Sequence, residues 1–241
     1  MSDIALQIAA FLAAFVQSTV GIGFGMIAGP VVLIVLNDPA AVVISTLLSW
    51  LIALALLPSL RSGTDWPMVW RLSAGAVLGL PLGLALLGAS GISVLKLIAA
   101  VVIGGLTAAM VFGLPGMRSP ARGLDYLSGF IAGIFGGCLA IPGPPASLRM
   151  SGLGFSKAKN RATMVTFFCM IWPAVFAGQW AVIGVSSQTL WNALVLVPGV
   201  LAGILAGNWA AKRISERVFR NLVLVFLCAT SVSLFADAVL R

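Results

Sequence analysis

Gly21-Ile22-Gly23-Phe24-Gly25, followed by Gly29-Pro30, interrupts the first apolar run of the chain, which extends from Ile4 to Leu36. As one continuous helix this run would be about 50 Å long at 1.5 Å per residue, well beyond the ~30 Å of a bilayer core. Glycine weakens a helix, and proline removes one of its hydrogen-bond donors. We therefore predict that the run breaks inside the membrane.

A second stretch of the same kind lies half a chain later: Gly136-Gly137-Cys138-Leu139-Ala140-Ile141-Pro142-Gly143-Pro144-Pro145. It interrupts the apolar run from Leu124 to Met150. Three of its last four residues are proline, which prevents a regular helix there. The sequence therefore predicts a second break.

The composition around these breaks is typical of a membrane protein. Of 241 residues, 61% are hydrophobic and 8% are charged, too few charges to cover a water-soluble fold. A soluble helical core would need polar faces on its outer helices, whereas segments here are apolar all round. We predict an all-α polytopic membrane protein with eight membrane segments. These are Ile4 to Leu36, Ala40 to Leu60, Trp66 to Ala89, Val94 to Leu114, Leu124 to Met150, Thr163 to Val185, Thr189 to Ala211 and Val218 to Leu240.

The basic residues give the chain a net charge of +8 but sit in short clusters between apolar runs. This placement is typical of topology determinants and not of a nucleic-acid-binding face. If all eight segments cross, nine basic residues fall on one side: Lys96, Arg149, Lys157, Lys159, Arg161, Lys212, Arg213, Arg217 and Arg220. The other side then holds five: Arg61, Arg71, Arg118, Arg122 and Arg241.

A different topology gives a sharper charge asymmetry. If the two broken segments enter and return on the same side, twelve basic residues lie on one side and only Lys96 and Arg241 lie opposite. Because cytoplasmic loops are enriched in Lys and Arg, this division favours six full crossings plus two re-entrant helix hairpins. We expect a multi-pass protein of the cell inner membrane with both termini periplasmic and with the N-terminal segment retained.

The two breaks divide the chain into similar halves, residues 1–117 and 118–241. Gly29-Pro30 and Gly143-Pro144 each follow a glycine-rich break, and each precedes a turn and a helix that starts with small residues. With three crossings after each hairpin, the second half would be inverted relative to the first, a design that places transport sites at the midplane. A chance match in a chain rich in Gly and Ala is the alternative.

The breaks are also the candidate site. Irregular backbone at membrane depth is tolerated where it lines a polar cavity, and a half-helix that starts at a break directs free N–H groups and its positive dipole end toward an anion. We therefore predict a small-anion site, although tight helix packing and local hydroxyl–carbonyl bonds remain the alternative for any one residue. Its candidate residues are Gln17, Ser18, Thr19, Gly21, Gly23, Gly25, Ser45 and Ser49 in the first half, and Gly136, Gly137, Cys138, Gly143, Asn160 and Thr163 in the second.

One basic cluster and two tryptophans are considered together with these candidates. We interpret the cluster of Arg149, Lys157, Lys159 and Arg161 as a topology determinant that also concentrates anions at the cytoplasmic entrance. Trp50 and Trp172 lie deep in their segments and are candidates for lining a cavity, while the other Trp residues suit the membrane interface.

The residue types that acid–base and metal chemistry needs are missing from the segment interiors. The chain has no His, and its acidic residues all lie near segment ends. Its three cysteines fall inside apolar segments without CxxC spacing. We therefore predict no metal, no cofactor and no enzymatic activity.

At the two breaks the chain resembles the sulfite exporter TauE/SafE family of membrane permeases. The residues that carry the resemblance are Gly21-Ile22-Gly23-Phe24-Gly25 with Pro30, Pro39-Ala40-Ala41 and Ser45-Thr46, echoed by Gly133, Gly136, Gly137, Pro144, Ala158 and Thr163. The chain departs from the family where Phe24 interrupts the triple-glycine run and where Cys138-Leu139-Ala140 precedes the prolines. The resemblance implies transport of sulfite, organosulfonates or related sulfur oxyanions.

Two function classes follow for the chain. The first is a transporter whose partners are a small anionic substrate and the lipid bilayer. The second is a non-transporting membrane subunit or scaffold, in which the glycines serve helix packing alone.

Overall fold

The computed structural model describes residues 2–112, 119–211, 213, 233 and 235, and this part of the chain is helical, with no strand. The predicted all-α class is confirmed. The segment Val218 to Leu240 and the end of the fourth segment lie outside the described residues, apart from positions 233 and 235. The helices are α1 Ser2–Val20, α2 Phe24–Leu36, α3 Ala40–Leu60, α4 Trp66–Ala89, α5 Ile92–Phe112, α6 Gly123–Leu139, α7 Gly143–Gly152, α8 Lys157–Ile183 and α9 Ser187–Ala210, with a short 3-10 helix over Arg61–Gly63.

Within these ranges four helical stretches are long and apolar enough to cross a membrane: Ala40–Gly63, Trp66–Ala89, Lys157–Ile183 and Ser187–Ala210. Exposed tryptophans mark both ends of the helix bundle, as expected of side chains at a membrane interface. Trp66, Trp70 and Trp209 lie at one end, and Trp180 and Trp191 lie at the other.

Both predicted breaks are confirmed. α1 ends at Val20, and α2 begins at Phe24 after Gly21 and Gly23, whose φ angles of 95° and 126° are reached at little cost only by glycine. α6 ends at Leu139, and its C-cap Ala140 takes the left-handed conformation with φ 57° before α7 begins at Gly143.

Contacts between helix termini define two ends of the bundle. Thr64, after α3, bonds to α8 near its beginning, so α3 and α8 run antiparallel. At the same end Arg71, early in α4, pairs with Asp125, early in α6. We call this the Arg71 end. At the opposite end, the Lys96 end, the Lys96 amine early in α5 donates to the Asn37 side chain after α2, with 2.7 Å between the two atoms.

The chain reverses at the first break. α1 runs parallel to α9, because Gln7 bonds to the Val195 carbonyl near the start of both helices and Thr19 bonds to the Gly207 carbonyl near their ends. Since α9 runs opposite to α8, α1 begins at the Lys96 end. α2 then returns to the Lys96 end, where Asn37 follows it.

The chain also reverses at the second break, from the other end. Arg149 in α7 reaches back to Asp125 near the start of α6, with 2.7 Å between its Nε and the carboxylate. It also donates to the carbonyl oxygens of Ser119 and Ala121, which precede α6. An unbroken helix would separate residues 125 and 149 by about 36 Å. The two broken segments therefore enter the bundle from opposite ends.

Glycines at four-residue intervals let the broken segments pack closely on their neighbours. α4 and α6 approach until a Cβ at Gly79 would overlap the Phe130 carbonyl oxygen, and one at Gly133 would overlap that of Ala76. α1 packs in the same way against α9. This small-xxx-small pattern lets helix backbones meet in membrane proteins. The glycines of these interfaces are Gly75, Gly79 and Gly83 in α4, Gly129 and Gly133 in α6, and Gly199, Gly203 and Gly207 in α9.

Candidate functional site: where the two breaks meet

The two breaks touch each other in the middle of the bundle. Gly25, in the first turn of α2, lies so close to the second break that a Cβ there would overlap the Ala140 carbonyl oxygen. Gly143, the first residue of α7, lies against the first break, where an added Cβ would be 2.9 Å from Ile22 Cγ2. The start of each half-helix therefore packs on the other break.

A small space remains between these contacts. Its volume is about 10 Å³, enough for about one water molecule. Side chains from α3 and α8 close its sides. The lining residues are Gln17, Gly23, Phe24, Gly25, Met26, Ser49, Ala140, Ile141, Pro142, Gly143, Pro144, Phe168 and Trp172. We call this space the central cavity.

Two polar side-chain groups at the central cavity have no hydrogen-bond partner within the described part of the chain. They are the indole Nε1 of Trp172 and the hydroxyl of Ser49, and each residue is only 1% exposed. A third polar side chain, that of Gln17, already has a partner within the protein, because its amide donates to the Ser49 carbonyl at 3.1 Å. Leaving a buried donor unpaired costs about 1–3 kcal/mol, so the two free donors indicate a place for an acceptor.

The first turn of α2 adds backbone donors to the same place. Gly23 caps α2 without a side-chain hydrogen bond, and no acidic residue lies in the first turn. The N–H groups of Phe24, Gly25 and Met26 therefore stand at the cavity with the positive end of the helix dipole, which favours an anion.

The first turn of α7 contributes less than the sequence suggested. Pro144 and Pro145 occupy this turn and carry no N–H. Both half-helices were expected to present free N–H groups, but α7 lacks two of these donors. The backbone N–H donors at the cavity therefore come mainly from α2, and α7 mainly forms part of the cavity wall.

Five of the predicted site residues line the central cavity: Gln17, Gly23, Gly25, Ser49 and Gly143. Ser45 lines a second space of about 10 Å³ between α2, α3, α5 and the second break, and its hydroxyl donates to the Ala41 carbonyl. Gly25 lines both spaces.

The other predicted residues of the second break lie beside the cavity rather than on it. The carbonyl oxygens of Gly136 and Gly137 accept hydrogen bonds from the buried Gln179 amide at 3.4 and 3.2 Å. Gly137 packs on Leu80 of α4. Cys138 is 1% exposed and does not line the cavity. These residues shape the break.

Ser18, Thr19 and Gly21 face other elements. Thr19 donates to the Gly207 carbonyl of α9, and Ser18 is buried beside the same glycine. The backbone of Gly21 lies against Arg161 in α8. These three residues anchor the end of α1.

Asn160 and Thr163 lie at the Arg71 end, near the start of α8. The Asn160 amide donates to the hydroxyls of Ser147 and Ser151, and the Thr163 hydroxyl accepts from the backbone N–H of Asp65. They tie α8 to its neighbours outside the cavity.

Three ion pairs also lie at the Arg71 end. Asp125 accepts from Arg71 and Arg149 in a buried cluster, and Arg149 is itself only 1% exposed. Asp65 caps α4 and pairs with Lys159 at 2.7 Å. Burial would raise the pKa of Asp65, but the hydrogen bonds from Lys159 and from the Met68 N–H, together with the positive charges of Lys159 and Arg71, lower the pKa below its ordinary value.

Sequence reasoning missed part of this arrangement. Phe168 of α8 and Met26 of α2 line the cavity, although nothing in their spacing distinguishes them from packing residues. Arg149 was interpreted as a topology determinant, yet it is among the most buried side chains of the chain. A hairpin brings its two ends together, so the opposite charges of Asp125 and Arg149 at the ends of one predicted hairpin were the available signal.

One comparison with known proteins gives a match. The family model described as "Sulfite exporter TauE/SafE" matches residues 6–234, a range that contains both breaks and the central cavity. Neither a curated protein nor a solved structure matches the chain at a significant level.

Proposed function

Because the chain belongs to the sulfite exporter TauE/SafE family, we propose that it moves sulfite, an organosulfonate or a related sulfur oxyanion across the cell inner membrane. Membership makes the protein a membrane transporter of sulfur compounds and not an enzyme. The finer assignment rests on one observation. Ser49 and Trp172, whose side-chain donors have no partner among the described residues, line a cavity at the uncapped N-terminus of α2.

The donor set suits an oxyanion of this class. An indole N–H, a hydroxyl and the first-turn N–H groups of α2 can all donate, and none of the described residues that line the cavity carries a carboxylate. Hydrogen bonds to a charged acceptor are worth about 1.5–3 kcal/mol each. Phe168, Met26 and Ile141 complete the wall and suit the apolar substituent of an organosulfonate.

The cavity must widen before it binds such an anion, because about 10 Å³ holds no more than one water molecule. The breaks are the places where the bundle can open with least loss of helix hydrogen bonding. We infer that the described conformation is closed, and that movement of a hairpin exposes the donors to one side of the membrane at a time.

We propose that each broken segment is a re-entrant hairpin and that the halves 1–117 and 118–241 form an inverted repeat. The reversals from opposite ends of the bundle support this topology. The pairing of helices supports it too, since the first helix of each half packs on the fourth helix of the other.

The distribution of charge supports the Arg71 end as the cytoplasmic one. Of the basic residues that the structure describes, Lys96 alone lies at the opposite end. Those at the Arg71 end are Arg61, Arg71, Arg122, Arg149, Lys157, Lys159, Arg161 and Arg213. The N-terminus is then periplasmic, as is the C-terminus if the last predicted segment crosses.

An inside-negative potential favours exit of an anion by about 2.3 kcal/mol per charge per 100 mV, so export needs no coupled ion. The test is electrogenic flux of sulfite and of an organosulfonate into proteoliposomes that hold the purified protein. Flux that follows the imposed potential is the expected result. Failure to move any anion of a broad panel would overturn the proposal and favour a non-transporting membrane subunit.

Two variants test the cavity itself. Ser49→Ala removes one donor with little change in shape, and Trp172→Phe removes the indole N–H together with part of the ring system. Each is expected to lower the apparent affinity for the anion about 10-fold or more. Trp66→Phe is the matched control, because Trp66 is 48% exposed on the outside of α4. An apparent affinity of Trp172→Phe equal to that of the control would exclude the cavity as the binding site.

A further inference from the structure

Arg161 is a cation placed directly beside the first break. It lies in the second turn of α8, at the Arg71 end, and is half-buried. A Cβ added to Gly21 would lie 3.0 Å from Arg161 Cα and 3.3 Å from its Cγ, so the side-chain stem runs along the broken backbone. Gly21 is two residues from Gly23, which lines the central cavity.

The guanidinium of Arg161 is held by a neutral group. One terminal nitrogen donates to the Asn208 side-chain oxygen at 3.0 Å, while the shielded Nε has no hydrogen-bond partner. No carboxylate among the described residues pairs with it. A charge that is partly removed from water and lacks a counter-ion attracts an anion more strongly than a solvated surface charge does.

Four other basic groups near this end already have partners. Arg71 and Arg149 share Asp125, and Lys159 pairs with Asp65. The Arg213 guanidinium stacks over the Trp209 ring, 4.4 Å from its centroid. Arg161 thus differs from its neighbours in keeping a desolvated donor without a partner next to the break.

We propose that Arg161 is a second anion subsite, which binds the substrate between the Arg71 end and the central cavity. The inference rests on the proposed transport function and adds a step to it. An Arg fork suits an oxyanion because its N–H groups match two oxygens at once, and Asn208 holds the fork in place. The anion then passes along Gly21 to the donors of α2, Ser49 and Trp172.

The test measures KM in sealed vesicles of known orientation, with the substrate supplied either from the side of the Arg71 end or from the side of the Lys96 end. The two substrates are a monovalent organosulfonate and sulfite at a pH where it is divalent. Arg161→Gln is expected to raise KM about 5-fold for the monovalent anion and about 25-fold for the divalent one, because the lost Coulomb energy doubles with the charge. The change is expected only for anion presented at the Arg71 end. Arg213→Gln, a cation of the same end, is the control.

Arg161→Lys separates charge from structure. It keeps the charge and loses the fork, so it should retain the native preference for the divalent anion while KM rises less than for Arg161→Gln. If Arg161→Gln changes both KM values by the same factor, or matches Arg213→Gln, the subsite is wrong. Loss of the preference in Arg161→Lys would also overturn it.

These outcomes are distinct from failure of the proposed function. Absence of flux from the unsubstituted protein would refute transport itself. Normal flux with an unchanged KM in Arg161→Gln would refute only the subsite. Thermal unfolding of each variant in detergent shows whether it is folded. If Arg161→Gln is not folded, the preference of Arg161→Lys for the divalent anion is the test of the subsite.

Discussion

Replacement of Asp125 by Asn tests whether the second broken segment is held as a hairpin by its buried charges. The carboxylate accepts from the Nε atoms of Arg71 and Arg149, both at 2.7 Å, and its side chain is only 3% exposed. Arg149 joins α7 to the start of α6, so this one carboxylate closes the hairpin and also fixes it to α4. Asn keeps the shape and removes the charge.

The cost follows from what the substitution leaves behind. Arg71 is 23% exposed at its side chain and can turn toward water, whereas Arg149 is enclosed and keeps the carbonyl oxygens of Ser119 and Ala121 as partners. Removing one partner of a buried ion pair typically costs about 3–5 kcal/mol. Because the two carbonyls remain, we expect about 3 kcal/mol, or a fall in the melting temperature of about 6–12 °C.

The assay is thermal unfolding in detergent at neutral pH, with Asp65→Asn as the matched control. Asp65 and Lys159 are 21% and 44% exposed at their side chains, and a pair of this kind contributes about 0–1 kcal/mol. Joint replacement of Asp125 by Leu and Arg149 by Met should recover part of the loss, since no buried charge is then left alone. A melting temperature for Asp125→Asn equal to that of Asp65→Asn would refute the reasoning.

Two further predictions concern the turn before α4 and the contact between the breaks. Because the pKa of Asp65 is lowered in the folded protein, the ionised carboxylate stabilises the fold above the ordinary pKa of about 3.9, and this stabilisation is lost as the pH falls through the folded value. The melting temperatures of the native protein and Asp65→Asn should therefore converge in acid. A difference between them that persists in acid would contradict this. Gly25→Ala places a Cβ on the Ala140 carbonyl oxygen and should lower anion flux at least about 10-fold. Gly29→Ala is the control and should retain flux, because its Cβ would be 3.7 Å from Ser45 Oγ, an ordinary contact distance. Equal flux from the two variants would show that the breaks need not touch.

The helices and both breaks were predictable because they depend on local chemistry. Apolar length gives a membrane helix, and glycine and proline interrupt it wherever they cluster. The break after Val20 and the break after Leu139 follow from these rules. That Gln17, Gly25 and Gly143 would come together was inferred from the half-helix argument.

The remaining features depend on long-range packing, which spacing along the chain does not encode. Trp172 is one of seven Trp residues, and only the packing of α8 on the two breaks leaves its indole at the cavity without a partner. Thr163 and Asn160 have the polarity expected of a binding site, yet their side chains form hydrogen bonds with the elements that pack on α8. The role of Arg149 required knowing that the hairpin closes on Asp125.

The central claim is that the anion binds where the two breaks meet, and locating a heavy analogue tests it most directly. Selenite has the shape and charge of sulfite, and its selenium is visible by anomalous scattering in crystals grown with it. The account predicts an anomalous peak in the central cavity, with selenite oxygens about 3 Å from Ser49 Oγ and Trp172 Nε1. A selenium peak bound elsewhere in the protein, with the central cavity empty, would contradict it.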